Sequence, residues 1–137
     1  MPCTADRFLR SRPRTSSVAL LAVIVGAVMG TALRLGIDTL LPHTDATFPV
    51  STLLINLLGS FALGFLTARV WPTASATTRA LLGPGLLGSF TTFSAVAVSV
   101  VSLAASDQVG LAVIYLVVTV LGGLVAAYAG LRLGRRS

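Results

Sequence analysis

The middle of one long apolar run most constrains how this chain can fold. The run extends from Leu81 to Leu103, and its centre, from Gly85 to Ser94, reads Gly-Leu-Leu-Gly-Ser-Phe-Thr-Thr-Phe-Ser. Glycine permits backbone geometries outside the helix, and irregular backbone at membrane depth is tolerated only inside protein or along a polar path. An intact helix that packs closely through its small residues is the alternative. Two glycines, four hydroxyls and two phenylalanines in this stretch favour a helix that is broken in mid-membrane.

The composition of the chain is that of a membrane protein. Of its 137 residues, 55% are hydrophobic and only 10% are charged, which is too apolar for a soluble domain of this size. A helix needs about 20 apolar residues to cross the hydrocarbon layer, and four runs reach that length. We therefore predict an all-α protein whose residues 17–133 form four transmembrane helices, at about 17–37, 48–70, 81–103 and 109–131.

The positive charges of the chain predict its orientation. All ten basic residues are arginines, and nine of them lie at the chain ends or beside the loop at residues 71–78, on one side of the four spans. Because basic loops stay in the cytoplasm, we predict a protein of the cell membrane with both termini cytoplasmic. Residues 1–16 then form a cytoplasmic basic arm and residues 134–137 a basic tail. The net charge of +6 reflects topology, and no binding of nucleic acid is expected.

Few side chains are available for catalysis or metal binding. Cys3 and His43 are the only cysteine and histidine, and the four acids are aspartates outside the spans. A small multidrug-type exporter, which also has four spans, needs a carboxylate within the membrane to exchange protons for cations, so that class is disfavoured. Since no ionisable pair lies where a buried active site would need one, we predict that the chain is not an enzyme.

Two polar residues within the spans each allow two interpretations. Asn56 carries an amide in an apolar helix and must find a hydrogen-bond partner. It either bonds to a neighbouring helix or donates its NH₂ to a passing anion. Arg34, near the end of the first span, either extends its guanidinium to the membrane interface or gives an anion-attracting vestibule its charge. The residues alone leave both pairs of alternatives open.

Three motifs resemble those of the small four-span fluoride channels called Fluc or CrcB. The resemblance covers about residues 26–130 and implies an antiparallel dimer in the lipid bilayer, fluoride paths along the subunit interface and a central structural sodium ion (Na+). The motifs are Gly26-Ala27-x-x-Gly30-x-x-x-Arg34, Thr52-Leu53-x-x-Asn56-x-x-Gly59-Ser60-Phe61-x-x-Gly64 and Gly85-x-x-Gly88-x-x-Thr91-Thr92-Phe93-Ser94.

The resemblance also implies roles for individual residues. Gly88 and Thr91 match the positions whose backbone carbonyls hold the sodium ion, and Arg34 matches the arginine of the vestibule. The implied activity is passive, fluoride-specific efflux that lowers cytoplasmic fluoride. The positions along the fluoride path are matched by Asn56, Phe93, Ser94, Tyr115 and Thr119.

The chain departs from the family pattern just after the expected break. Where the family has a second pore phenylalanine and then a glutamate, this chain has Val96 and Ser99, and Ala95 and Gly123 replace two hydroxyl residues. Valine lacks the polarised ring edge of phenylalanine. A non-conducting partner subunit is therefore the alternative to a conducting subunit.

The arginine distribution also bears on the identity of the second subunit. An antiparallel homodimer needs the same chain inserted in both orientations, which requires a weak charge bias. With nine arginines on one side and one on the other, a single orientation is expected. We therefore expect a heterodimer with a related second subunit that inserts the opposite way. A homodimer whose topology is set by something other than loop charge is the alternative.

Overall fold

The computed structural model describes residues 17–42 and 47–136, and this part of the chain is helical with short connections. The predicted basic arm at 1–16, with Cys3, lies outside the described residues, as does His43. The helices are α1 (Ser17–Leu40), α2 (Val50–Arg69), α3 (Ala76–Ala80), a π-helix (Leu81–Leu87), α4 (Gly88–Phe90), α5 (Phe93–Ala105) and α6 (Val109–Arg136).

Four segments are long and apolar enough to cross a membrane. They are α1, α2, a composite third span at Ala76–Ala105, and α6. The prediction of an all-α, four-span membrane protein is thereby confirmed. The bounds differ in detail, because the third span begins at Ala76 rather than at Leu81 and α6 continues through most of the predicted basic tail.

The helices α2 and α6 form the most extensive helix contact in the described chain. A Cβ atom at Gly64 would overlap the carbonyl of Ala127, and one at Gly123 would lie 3.5 Å from the Ser60 hydroxyl. Close approach through small residues is the usual contact between membrane helices. Because the two pairs have the same sequence offset, α2 and α6 run parallel with a constant register.

The helix α1 packs against the π-helix through its glycine motif. Cβ atoms at Gly26 and Gly30 would overlap the carbonyls of Leu81 and Leu86, so these glycines allow the two helices to approach closely. Pro84, which has no N–H to donate, lies in the middle of the π-helix. Such wide turns occur mainly as local irregularities within longer helices, and this one is where the third span meets α1.

The third span is broken in its middle, as predicted, but at threonines rather than at glycines. Thr91 and Thr92 are extended, with φ/ψ of −75°/154° and −149°/119°. Gly88 is helical, at −65°/−26°, and a Cβ at Gly85 would lie 3.2 Å from Gly26 of α1. The break is therefore confirmed, but the cause that we assigned to it is wrong, since Gly85 serves a helix contact.

A small apolar core joins α5 to α6. It consists of Val96, Leu103, Ala112 and Tyr115, with Phe48 packed against it. Most other long apolar side chains of the single chain are exposed. A helical protein that is apolar on its outer faces is suited to contact with lipid or with another membrane-embedded subunit.

Candidate functional site

Asn56 in α2 holds the break in the third span. Its Nδ2 donates a hydrogen bond to the Thr92 carbonyl at 3.0 Å, and its Oδ1 accepts one from the Thr92 N–H at 2.9 Å. The amide thus satisfies both backbone groups of Thr92 where the helical pattern stops. Of the two interpretations of Asn56, the hydrogen bond to a neighbouring segment is present. The amide also has a second N–H, so a role toward an anion remains compatible with it.

At the break, two backbone N–H groups no longer donate to the carbonyls of Gly88 and Thr91. In a continuous helix the N–H groups of Thr92 and Ala95 would donate to the carbonyls of Gly88 and Thr91. Here the Thr92 N–H donates to Asn56, and the Ala95 N–H donates to the Thr92 hydroxyl at 3.2 Å. Both carbonyls are thereby released from the helical hydrogen-bond pattern, as are the carbonyls that bind cations in other broken membrane helices.

An open groove of about 390 Å³ lies beside the break. It brings together Asn56, Phe93 and Thr119, three of the residues predicted for the fluoride path. No charged side chain occurs among the described residues that line it, so its polar side chains are one amide and several hydroxyls. The remaining lining residues are Ser60, Thr91, Thr92, Val96, Val120, Gly123, Leu124 and Ala127.

Two rows of residues, mostly polar, run along the facing sides of α2 and α6, partly in this groove and partly in the core beside it. Because α2 and α6 run parallel in register, residues four positions apart on each helix form facing rows. Thr52 and Ser60 are missing from the predicted path residues, although their four-residue spacing from Asn56 signals a shared helix face. The rows consist of Thr52, Asn56 and Ser60 on α2, and of Tyr115, Thr119 and Gly123 on α6.

The other residues predicted for the path or its vestibule do not line the groove. Ser94 is exposed, and its Oγ lies 3.1 Å from the Thr92 hydroxyl. Tyr115 is completely buried in the core next to the groove. Arg34 is partly exposed on α1, and both interpretations of its role stay predictions.

A second groove, of about 280 Å³, extends from Asn56 toward the first half of the third span. Gly88 and Thr91, the residues predicted to bind sodium, both line it. A Cβ atom fits beside Gly88 without overlap, because its nearest neighbour, the Gly83 carbonyl oxygen, would lie 3.7 Å away. Gly88 and Thr91 therefore border the same groove at the surface of the single chain.

The two positions matched to pore phenylalanines both line the groove but differ in burial. Phe93 is 79% exposed, whereas Val96 is 3% exposed and packs with Tyr115. Phe93 therefore borders the groove from outside the chain, and Val96 forms part of its inner wall. The replacement of an aromatic residue by valine lies within this chain's own wall rather than on its outer surface.

Comparison with known proteins agrees with this architecture. The family described as CrcB-like protein, Camphor Resistance (CrcB), matches residues 21–131. The fluoride-specific ion channel FluC of Deinococcus radiodurans is 46% identical over 116 residues, which cover 82% of this chain and 88% of that protein. FluC 1 of Ligilactobacillus salivarius is 37% identical over 116 residues, 85% of this chain and 99% of that protein. FluC of Thermus thermophilus is 38% identical over 116 residues, 83% of this chain and 93% of that protein. The matched region includes parts of all four spans, and the chain belongs to the family of CrcB-like proteins.

Proposed function

We propose that the chain is a subunit of a fluoride-specific ion channel that lowers cytoplasmic fluoride by passive efflux, and that it is not an enzyme. The observation that carries the proposal is the uncharged groove at the break, where Asn56, Phe93 and Thr119 meet. Proteins similar over most of this chain bear the name fluoride-specific ion channel. The groove offers donors suited to a small anion, and none of the described residues that line it carries a charge that would trap the anion.

The side chains of the groove can replace part of the water around fluoride. The second N–H of Asn56 is one hydrogen-bond donor, and the hydroxyl of Thr119, which is buried and has no partner among the described residues, is another. The ring edge of Phe93 carries partial positive charge and attracts an anion. Conduction requires binding that is favourable enough for entry and weak enough for release, and neutral donors at several positions meet both needs. Chloride is larger and a weaker acceptor, so it gains less from the same donors.

The residues at the break fit a structural sodium ion. Hard cations prefer oxygen ligands. The carbonyls of Gly88 and Thr91 supply two such oxygens, and the N–H groups that would occupy them are bonded elsewhere. In an antiparallel dimer each subunit would contribute this pair. The bound cation would supply positive charge that fastens the two breaks together.

The positions of the arginines support an orientation in the cell membrane with both termini cytoplasmic. Arg69 lies in the last turn of α2, and Arg135 and Arg136 lie in the last turn of α6. Because α2 and α6 run parallel, these charges lie at the same end, which the positive-inside rule assigns to the cytoplasm. A related second subunit inserted the opposite way would complete an antiparallel heterodimer.

The burial of Val96 favours a second candidate function, that of a partner subunit that does not conduct through its own groove. Valine at this wall position presents no polarised ring edge to an anion. A small multidrug-type exporter gains no such support, because none of the described residues that line the groove is an acid. A conducting subunit and a non-conducting partner subunit differ in whether fluoride flux depends on the hydroxyl of Thr119.

Fluoride efflux from proteoliposomes tests the proposal. We expect fluoride to leave and chloride to stay, with this chain alone for a homodimer or only with a related second subunit for a heterodimer. Chloride efflux as fast as fluoride efflux would refute the function. Thr119→Val removes the buried hydroxyl of a groove-lining residue with little change of shape. It should slow the flux if this chain's groove conducts and leave the flux unchanged if the chain is a non-conducting partner.

A further inference from the structure

One face of α6 carries exposed apolar side chains that lead into arginines. The members of this face follow one another at intervals of three or four residues, so they share one side of the helix. The glycines by which α6 approaches α2, Gly130 and Gly134, are buried on the opposite side. Neither groove beside the break is lined by a member of this face. We call the face the outer stripe, and it consists of Val117, Leu121, Val125, Tyr128, Arg132 and Arg135.

The length of α6 places the arginines of the outer stripe at the level of the lipid headgroups. The 23 residues from Val109 to Leu131 are uncharged and extend about 34 Å at 1.5 Å per residue. The hydrocarbon layer of a bilayer is about 30 Å thick, so Arg132 is the first charged residue beyond it. The helix continues without interruption to Arg136. The guanidinium groups are therefore carried by an ordered helical turn rather than by a loose tail.

Tyr128 supports the guanidinium of Arg132. The guanidinium carbon lies 5.7 Å from the centre of the Tyr128 ring, within the range of a cation–π interaction. Tyr128 is 60% exposed, and tyrosine is enriched at the headgroup level of membranes. The ring covers one face of the planar guanidinium, whose N–H groups point outward from its edge. These donors are available to a ligand at the surface.

The end of the molecule that carries these arginines is strongly basic. Arg69 of α2 lies there as well, since a Cβ atom at Gly134 would be 3.4 Å from the Arg69 Cβ. The two aspartates of the described chain lie at the other end, Asp38 near the end of α1 and Asp107 in the turn before α6. No carboxylate of the described residues therefore balances the arginines, and the surface is complementary to an anionic partner.

The outer stripe combines features that suit a phospholipid with a net negative charge. Guanidinium groups bind phosphate oxygens through paired hydrogen bonds. From Tyr128 back to Val117 the stripe extends about 17 Å along the helix, close to the thickness of one leaflet of hydrocarbon. Any acyl chain can cover this apolar part, so the arginines alone select the headgroup. A zwitterionic headgroup brings its own cation to the arginines and gains less from them.

We infer that the outer stripe binds one anionic phospholipid, whose headgroup lies on Arg132 and Arg135 and whose acyl chain follows the stripe toward Val117. The inference goes beyond the proposed function and does not depend on it, because the outer stripe shares no residue with the groove. The bound lipid holds the end of α6, the helix that contributes Thr119 to the groove.

Native mass spectrometry of the full chain, in whichever subunit composition it forms, tests the site. Phosphatidylglycerol or phosphatidylcholine is titrated into the detergent micelles, and the first bound lipid is counted. The wild type should bind phosphatidylglycerol about fivefold more tightly, or more, as expected for one arginine near an anionic headgroup. Arg132→Gln should remove most of this preference. Arg69→Gln is the matched control, because it removes the same charge from the same end but outside the outer stripe, and it should keep the preference.

The alternatives give different results in the same titration. Equal losses in Arg69→Gln and Arg132→Gln would overturn the site and leave a diffuse attraction of anionic lipid to the basic end. Equal affinity of the wild type for both lipids would also overturn it and leave the outer stripe to ordinary lipid or to a second subunit. Displacement of phosphatidylglycerol by inorganic phosphate at constant ionic strength would identify a site for free phosphate instead.

A second variant keeps the test decisive if Arg132→Gln does not assemble. Tyr128→Leu removes the ring beside the guanidinium and should lower the preference for phosphatidylglycerol about two- to fivefold, the usual effect of an exposed cation–π contact. An unchanged preference in this variant would count against the site. A wild type that holds phosphatidylglycerol but passes no fluoride would refute the proposed function and leave this inference standing.

Discussion

Replacing Asn56 with alanine should destabilise the protein, because it removes the hydrogen bonds to the break in the third span. The amide makes two hydrogen bonds to the backbone of Thr92, at 3.0 and 2.9 Å. Without them, both the N–H and the carbonyl of Thr92, which is 9% exposed, have no hydrogen-bond partner. A buried polar group that loses its partner costs about 1–3 kcal/mol. Two such groups predict a decrease of about 2–5 kcal/mol in the free energy of unfolding, allowing for partial rescue by water.

A variant on the same helix provides the matched control. Leu58→Ala shortens an apolar side chain that is 53% exposed and makes no hydrogen bond, so it should change the free energy of unfolding by less than about 1 kcal/mol. Equilibrium unfolding in mixed micelles, followed by circular dichroism, measures both variants. An Asn56→Ala protein within about 0.5 kcal/mol of the wild type would refute the reasoning, because Thr92 would then be satisfied without the amide.

Three further predictions follow from the glycines and the topology. Gly30→Ala should lower the free energy of unfolding by about 1–3 kcal/mol, because its Cβ would overlap backbone of the third span, whereas Gly36→Ala, with nothing within 4 Å, should be neutral or stabilising in the same unfolding assay. Gly88→Leu should leave the single chain folded, since a Cβ there overlaps no neighbouring atom and Gly88 borders a groove, but should abolish dimer cross-linking and fluoride flux; wild-type behaviour would count against the sodium assignment. In a background without the native cysteine, single cysteines at Thr39 and Ser75 should react with an impermeant reagent from opposite sides of the membrane, and equal labelling from both sides would contradict a single orientation.

The number and type of the helices were predictable because the bilayer imposes them. About 20 apolar residues are needed for each crossing, whatever the tertiary contacts. The four apolar runs in the sequence therefore predict four membrane spans. The helix ends were less predictable. The helix α6 continues to Arg136, because arginines near a helix C-terminus are favoured by the helix dipole, a local effect that hydropathy does not register. The π-helix around Pro84 was also missed, since its wide turn belongs to a contact with α1.

The break was predictable in kind but not in position. Glycines and hydroxyls in mid-span indicated irregular backbone, yet the chain leaves helical geometry only at Thr91 and Thr92. The position of the break depends on the hydrogen bonds from Asn56, which is 36 residues before Thr92 in the sequence. Likewise, nothing local in the sequence marks Val96 as buried, because its burial arises from the packing of α5 on α6. Local patterns therefore identified the segments, and contacts between helices decided which residues face the groove.

The proposed cation site and the proposed anion path of this chain have one structural origin. The hydrogen bond from the Thr92 N–H to Asn56 removes the helical donor of the Gly88 carbonyl, and the same bond fixes the Asn56 amide at the wall of the groove. The hydrogen bond between Asn56 and Thr92 therefore has two consequences. It leaves the Gly88 carbonyl available to a cation, and it places the second N–H of Asn56 where an anion could accept from it. The amide can do both only while α2 is held in register against α6, whose Thr119 supplies the next donor. The close contact between Gly64 and Ala127, a residue that also lines the groove, therefore supports the proposed ion path as the polar residues do.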